Sequence, residues 1–203
     1  MSTIGIFGGG QVAKMIAQAA STLSVEVIVF AQYEDEPALQ VIPKSIIGQW
    51  DDETLLRQFA EQCDVITLEN ATVPVEILRR VEQLGTKVYP TSATLEQVQD
   101  KLIQKRHMQQ NGIAVPRFKQ VLAGSDVLEA STEYGFPLML KIRKPEAGIP
   151  QASIIRRAHD IEPALQRFQG RELMAEEITK FVRELAVIVA RDADGDIRAY
   201  PVV

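Results

Sequence analysis

The start of the chain joins an apolar strand to a glycine-rich turn and a helix. Ile4–Phe7 is a continuous apolar run, as expected of a strand buried on both faces. It leads into Gly8, Gly9 and Gly10, which with residues 11–13 make a Gly-x-Gly-x-x-Ala pattern. Glycine permits a sharp turn and lets a phosphate approach the free N–H groups of a helix N-terminus. The pattern predicts either an anion site or a tight turn that only packs helix against sheet, and by itself it does not separate the two.

Strand and helix signals alternate over the first ninety residues. Apolar runs predict strands at 4–7, 25–30, 64–68 and 87–89. Helical spacing predicts helices at 11–23, after the acidic start at 51–53, and after Pro74. Such repetition indicates a parallel sheet with right-handed crossovers. We therefore expect a Rossmann-like α/β domain over residues 1–90.

The pattern changes after Pro90, where we place a domain boundary. A helix is predicted from about 93 to 110, and the rest is dominated by short strands with a hairpin turn at 192–195. The predicted strands are 117–121, 138–143, 153–156, 172–176, 183–191 and 197–203, with helices at 125–134 and 160–169. Residues 91–203 are thus expected to form a second, α+β domain, and the stop inside an apolar strand suggests that this domain is incomplete.

Composition restricts the class of protein. The formal net charge of −5 provides no basic excess for a nucleic-acid-binding surface. The single cysteine, Cys63, excludes an internal disulfide framework, fits a reducing cytoplasm and is interpreted as a structural thiol. Residues 1–3 carry no basic region, and no apolar stretch is long enough to cross a bilayer. We expect a cytoplasmic protein without membrane or nucleic-acid partners.

A nicotinamide-binding enzyme is a weaker interpretation of the glycines. That site needs an acidic residue at the end of the second strand to hold the ribose hydroxyls. Ala31 and Gln32 stand there instead, and Glu34 comes only later.

The second half contains charged residues inside apolar strands. Lys141 lies centrally in the run 138–143, Glu176 and Glu177 close another strand, and Glu184 follows eight residues after Glu176. Because an unpaired buried charge is costly, Lys141 and the glutamates either form salt bridges among themselves and with Arg183 or meet a ligand. The run 101–106 is interpreted mainly as a solvated helix face.

A set of short segments in a fixed order spans the whole chain. They are Gly8–Gln11 with Met15, Gly48–Glu53, Glu69 with Val73-Pro74, Asp100–Leu102, Leu140-Lys141, Ala175–Glu177, Arg183–Leu185, Val187–Arg191 and Tyr200–Val203. Together they resemble the 5-(carboxyamino)imidazole ribonucleotide synthase family, ATP-grasp ligases of purine biosynthesis. The resemblance implies a pre-ATP-grasp domain followed by an incomplete ATP-grasp domain.

The same resemblance implies an activity and its ligands. The family uses ATP and Mg²⁺ to phosphorylate bicarbonate and then carboxylates the amine of aminoimidazole ribonucleotide. Its metal ligands would lie beyond residue 203, so the resemblance gives this chain no metal ligand and no catalytic residue. A homodimer is also implied.

The resemblance assigns binding roles by position. Lys101 and Lys141 would contact the ATP phosphates, and the glycine-rich loop would contribute Gly148 and Gln151. The hinge that contacts adenine through its backbone would consist of Glu176, Glu177, Ile178 and Thr179. Glu184 would bind the ribose. The residues that would face the imidazole ribonucleotide are Gly8, Gly9, Gly10, Gln11 and Glu69.

The chain departs from the family pattern at two places. In the loop 144–151, Ile149 stands where the family has a basic residue and Pro150 where it has a glycine. These changes remove charge and N–H donors from a loop that closes over phosphates. Ala71 and Thr72 replace a Glu-Asn pair. The alternative is therefore a non-catalytic nucleotide-binding or regulatory module that has kept the fold.

Overall fold

The first half of the chain forms a parallel sheet covered by helices. The computed structural model describes residues 2–146, 148–192 and 194–203, and all statements below concern these ranges. The sheet has the order β3-β2-β1-β4-β5, and every paired neighbour is parallel. Its strands are Thr3–Phe7 (β1), Glu26–Ala31 (β2), Ser45–Ile47 (β3), Val65–Leu68 (β4) and Lys87–Val88 (β5). The helices are Gln11–Thr22 (α1), Glu53–Glu61 (α2), Val75–Gln83 (α3) and Ser92–Gln99 (α4), with a 3₁₀ turn at Pro37–Gln40.

Both faces of this sheet are buried, which explains the uninterrupted apolar strands. On one face, Phe7, Phe30 and Phe59 pack together with ring centroids 5.0–5.7 Å apart. On the other face, Ile6 and Val29 pack against α1 and the 3₁₀ turn. The predicted parallel α/β sheet is confirmed.

The second half forms an antiparallel sheet in the order β6-β9-β7-β8. Its strands are Phe118–Val121 (β6), Leu138–Ile142 (β7), Ala152–Ile155 (β8) and Leu173–Glu177 (β9). Helices Gly124–Tyr134 (α6) and Ile161–Arg167 (α7) cover one face, and Lys101–Gln110 (α5) joins the two halves. A separate hairpin of Val189–Arg191 (β10) and Ile197–Ala199 (β11) follows.

The single helix predicted over 93–110 is instead two helices. Asp100 has the extended backbone angles φ −93° and ψ 113°, and its carboxylate accepts hydrogen bonds from the N–H groups of Leu102 and Ile103. Aspartate is a preferred N-cap because its side chain satisfies backbone donors that the helix leaves open. Asp100 therefore ends α4 and starts α5. Leu95 of α4 packs in the core of the first sheet.

Two further strand predictions need correction. The strand predicted at 183–191 is confined to Val189–Arg191, and the strand at 197–203 ends at Ala199. The short edge strand Ser45–Ile47 was not predicted. The hairpin turn predicted at 192–195 includes residue 193, which lies outside the described residues.

Cys63 fits the predicted structural role. Its side chain is partly buried against the first core. Burial raises the pKa of the thiol to about 12, and the charge of Asp64 adds to the shift. Such a thiol is a poor nucleophile at neutral pH.

None of the described helices combines the length and apolar character needed to cross a membrane.

Candidate functional site

The glycine turn is held by two carboxylates of the chain itself. Gly8 has φ +97°, a conformation that favours glycine, and its N–H donates to the carbonyl of Phe30 at 3.0 Å. The N–H of Gly9 then donates to Glu36 Oε2 at 2.6 Å, and that of Gly10 donates to Glu69 Oε2 at 2.7 Å. The sequence pattern predicted that these N–H groups either bind a phosphate or lie in a simple turn. In the structure they donate to carboxylates of the chain itself.

Glu36 and Glu69 reach the turn from neighbouring strand ends. Glu36 follows β2 and also accepts the N–H groups of Gln32 and Tyr33, at 2.6 and 3.0 Å. Glu69 follows β4, and its second oxygen accepts the N–H of Val12 at 3.2 Å. Because both strands lie beside β1, their carboxyl ends meet at the same edge of the sheet. Gln11, at the start of α1, is exposed there.

Gly10→Ala is expected to destabilise the protein by about 1–2 kcal/mol, because hydrogen bonds to Glu69 would be lost. A Cβ at residue 10 would lie 2.8 Å from the carboxyl carbon of Glu69, so the carboxylate must move away. Urea unfolding followed by circular dichroism measures the change. Gly124→Ala is the matched control, since its Cβ would meet only side-chain atoms, the nearest at 3.4 Å. Equal stability of the two variants would contradict the proposal that the hydrogen bonds from Gly10 and Val12 to Glu69 stabilise the turn.

A second cluster of charges lies on the antiparallel sheet. Met139 and Lys141 lie on one face of β7, and their partners on β9 are Glu176 and Met174. The alternate residues of β7 pack in the core beneath α6 and α7. The face that carries Lys141 is therefore the one turned away from that core.

One carboxylate on this face is shared by two lysines. Glu176 is only 8 % exposed, and its Oε2 lies 3.0 Å from Lys141 Nζ. Its Oε1 lies 3.3 Å from Nζ of Lys105, which projects from α5. The side chains of Lys105 and Lys141 are 15 and 27 % exposed. Lys141 and Glu176 thus form an ion pair, which is one of the two predicted alternatives. The third member of the cluster, Lys105, is a residue that the sequence did not indicate.

Lys101 adds a further positive charge close to Lys141. Burial lowers the pKa of Lys101, and the positive charge of Lys141 lowers it further, against the opposing effect of Asp100. Asp100 is itself bound to Arg143, with 2.6 Å between Oδ2 and Nη2. Two lysines therefore contact the carboxylate of Glu176, and a third, Lys101, lies close enough to Lys141 to feel its charge. The excess positive charge suits an anionic ligand.

Described side chains of the loop at 144–151 form hydrogen bonds within the second half of the chain. Glu146 pairs with Arg171 through two contacts of 2.9 Å. Gln151 donates to the carbonyls of Glu146 and Ile149 at 2.6 and 2.9 Å, and Ile149 packs against the second core. Gly148 has φ +78°, typical of a turn glycine. The side-chain amide of Gln151, predicted to contact ATP, is therefore used within the loop in this structure.

The predicted hinge residues continue from the end of β9. Glu177 forms a bidentate pair with Arg117, with both contacts at 2.8 Å, and this pair lowers the pKa of Glu177. Ile178 is half-buried and Thr179 is exposed. Glu184 is exposed in the extended segment before β10, so the structure does not bring it into the lysine cluster.

Sequence reasoning missed three residues at these sites: Glu36 at the glycine turn, Lys105 in the lysine cluster and Arg117 at the predicted hinge. Lys105 had been assigned to a solvated helix face, and this interpretation is wrong because its ammonium is buried against Glu176. A signal was available, since Lys101 and Lys105 stand four residues apart and share one face of α5. Glu36 and Arg117 lie outside any local pattern that points to their partners.

Comparison with known protein families agrees with this architecture. The family model of the ribonucleotide synthetase preATP-grasp domain matches residues 1–99, and the model of the ATP-grasp domain matches residues 106–203. The chain belongs to the ATP-grasp family. The preATP-grasp match covers the parallel sheet with α4, and the ATP-grasp match covers the antiparallel sheet and the hairpin.

Curated relatives match nearly the whole chain. A phosphoribosylaminoimidazole carboxylase of Ogataea methanolica is 35% identical over 205 residues, covering 99% of this chain and 38% of that protein. An N5-carboxyaminoimidazole ribonucleotide synthase of Synechococcus elongatus is 32% identical over 200 residues, covering 98% of this chain and 51% of that protein. The chain thus spans about half the length of these relatives, or less.

Solved structures share the whole fold. An N5-carboxyaminoimidazole synthase from Aspergillus clavatus, in complex with ADP and 5-aminoimidazole ribonucleotide, superposes with a TM-score of 0.87. The two are 28% identical, and the match covers 99% of this chain and 52% of that one. In the part of the present chain that the structure describes, no group of three or more His, Cys, Asp or Glu side chains is placed to hold a metal ion.

Proposed function

We propose that this chain forms the nucleotide-binding part of an enzyme for the ATP-dependent carboxylation of 5-aminoimidazole ribonucleotide with bicarbonate. The observation that carries the proposal lies on the open face of the ATP-grasp sheet, where Lys105 and Lys141 share the buried carboxylate of Glu176 and Lys101 adds a positive charge close to Lys141. Such an excess of positive charge is suited to a polyphosphate, since it offsets the charge of the transferring phosphoryl group. The family match supports the assignment to ATP.

Within this proposal, Lys101 and Lys141 bind the ATP phosphates. The backbone of 176–179 contacts the adenine. Glu184 contacts the ribose once the segment before β10 folds inward. The loop at 144–151 closes over the phosphates with Gly148 and Gln151. Mg²⁺, when bound, would supply positive charge that offsets the negative charge of the phosphates. The described residues of this chain bind and orient the nucleotide and carry no metal ligand set.

The glycine turn is proposed to face the imidazole ribonucleotide, through Gly8–Gln11 and Glu69. The carboxylates of Glu36 and Glu69 can accept further hydrogen bonds, which suits hydroxyl and amine groups of a ribonucleotide. We propose that this turn and the lysine cluster face one cleft. Contacts between the halves support this, because Gln99 donates to the carbonyls of Ala71 and Val73 while the adjacent Asp100 binds Arg143.

We further propose a boundary between the two domains near residue 90, a cytoplasmic location and a homodimer. The free, partly buried Cys63 is compatible with a reducing compartment. The dimer rests on the family resemblance.

A specific observation favours the alternative, a nucleotide-binding module without catalysis. The loop at 144–151 has two prolines, lacks the family's basic residue at Ile149, and is fixed by the pair between Glu146 and Arg171. A loop that is held in this way has less freedom to close over phosphates.

Isothermal titration with ATP and ADP, each with Mg²⁺, tests the proposed function. We expect saturable binding of both nucleotides. Formation of ADP in the presence of bicarbonate and aminoimidazole ribonucleotide would support the carboxylation reaction, whereas binding without ADP formation would favour the non-catalytic module. Absence of nucleotide binding at millimolar concentration would contradict both functions.

A further inference from the structure

We propose that Lys105 is a positioning residue, the resident counterion of Glu176 that allows Lys141 to leave this carboxylate and bind a nucleotide phosphate. The inference rests on the proposed function, because it requires a polyphosphate at Lys141. It adds a residue to which neither the sequence pattern nor the family resemblance gave a role.

The two lysines differ in how they are held. Lys105 Nζ lies 3.3 Å from Glu176 Oε1 and 6.0 Å from the centroid of the Phe118 ring. Phe118 is the register partner of Glu176 on β6, so ring and carboxylate lie side by side beneath the ammonium. The side chain of Lys105 is 15 % exposed, against 27 % for Lys141. Lys105 is therefore the more enclosed partner and Lys141 the more accessible one.

The charges around Lys141 favour its movement toward an incoming anion. Lys141 contacts the carboxylate of Glu176 and is close enough to Lys101 for the two positive charges to repel each other. A phosphate that reaches Lys101 and Lys141 removes their mutual repulsion and competes with Glu176 for the ammonium of Lys141. The exchange breaks one ion pair and forms another.

Glu176 must remain neutralised during this exchange. A carboxylate that is only 8 % exposed is costly without a partner, so Lys141 would otherwise be held in place. Lys105 keeps its own contact with Oε1 and provides that partner. The arrangement makes one lysine fixed and the other exchangeable.

The experiment compares ADP binding, with Mg²⁺, by isothermal titration for wild type, Lys105→Met, Lys105→Arg, Glu176→Gln and the Lys105→Met/Glu176→Gln double variant. We expect Lys105→Met to weaken binding by about tenfold or more, because Glu176 then retains Lys141. Lys105→Arg keeps the charge and should bind within about threefold of wild type. The double variant should recover to within about threefold of wild type, because no carboxylate remains to hold Lys141.

The double variant separates positioning from other roles. If Lys105 contacts phosphate directly or only supports the fold, removing the charge of Glu176 does not restore affinity, and this result would overturn the inference. Unchanged affinity in Lys105→Met would also overturn it. Should Lys105→Met not fold, Lys105→Gln, alone and combined with Glu176→Gln, replaces it in the comparison, because it removes the same charge. Absence of ADP binding by wild type is the different result that removes the proposed function itself.

Lys119→Met is the matched control for the loss of a lysine. Lys119 is on β6, but its ammonium pairs with Glu129 of α6 at 2.6 Å, on the other side of the sheet. Its loss should leave ADP affinity unchanged. A weakening equal to that of Lys105→Met would show a general effect of charge and contradict the specific role of Lys105.

Discussion

Replacing Asp100 by alanine is expected to lower the free energy of unfolding by about 3–5 kcal/mol, the cost of breaking a buried ion pair. Asp100 is 2 % exposed, and its carboxylate meets Arg143 through Nε at 3.1 Å and Nη2 at 2.6 Å. The same carboxylate caps α5 through the N–H groups of Leu102 and Ile103. Alanine therefore removes the helix cap and leaves the guanidinium of Arg143 without its buried partner.

Urea unfolding followed by circular dichroism measures this loss, and Glu172→Ala is its control. Glu172 pairs with the same guanidinium at 2.9 Å, but its side chain is 58 % exposed. An exposed pair contributes about 0–1 kcal/mol, so the control should remain close to wild type. Similar losses in the two variants would contradict the special role of the buried pair.

The contribution of Asp100 should also depend on pH. Burial alone would raise the pKa of Asp100, but the hydrogen bonds from Arg143 and from the N–H groups of Ile103 and Leu102 outweigh it, so the pKa lies below 3.8. A lowered folded-state pKa gives stability that is present above the unfolded value and is lost as pH falls through the folded one. The difference in stability between wild type and Asp100→Asn should therefore decrease below about pH 4.

Lys141→Met is expected to weaken ATP binding by about 10- to 150-fold, which corresponds to about 1.5–3 kcal/mol for a hydrogen bond to a charged group. Methionine keeps the length of the apolar stem and removes the ammonium that would contact phosphate. Lys105 still neutralises Glu176 in this variant, so the fold should persist. Isothermal titration with ATP and Mg²⁺ gives the change in affinity, and thermal unfolding checks the fold.

The control for Lys141 is again Lys119→Met, whose ammonium lies on the opposite side of the same sheet. It should bind ATP as wild type does. If folded Lys141→Met binds ATP with unchanged affinity, Lys141 is only the structural partner of Glu176, and the proposed phosphate contact is wrong.

The parallel sheet was accessible from the sequence because its strands are buried on both faces. Ile4–Phe7 and Val65–Leu68 form strands within the predicted segments, since continuous apolar runs between helical patterns have few other stable arrangements. The antiparallel sheet was predicted less completely. The segment at 183–191 has strand-like composition, but it forms a regular strand only at Val189–Arg191. Beyond that strand, backbone hydrogen bonds between Ala186 and Val203 continue the hairpin as isolated contacts.

The sequence by itself determined two sheets of different type, the glycine turn at the end of β1 and the presence of lysine and glutamate inside apolar strands. Only the tertiary structure decided which charges meet. Asp100 and Arg143 are separated by 43 residues along the chain, Lys141 and Glu176 by 35, and Gly10 and Glu69 by 59. These pairs depend on strand register and on how α5 lies on the sheet, since electrostatic energy depends on distance in space rather than on separation in sequence.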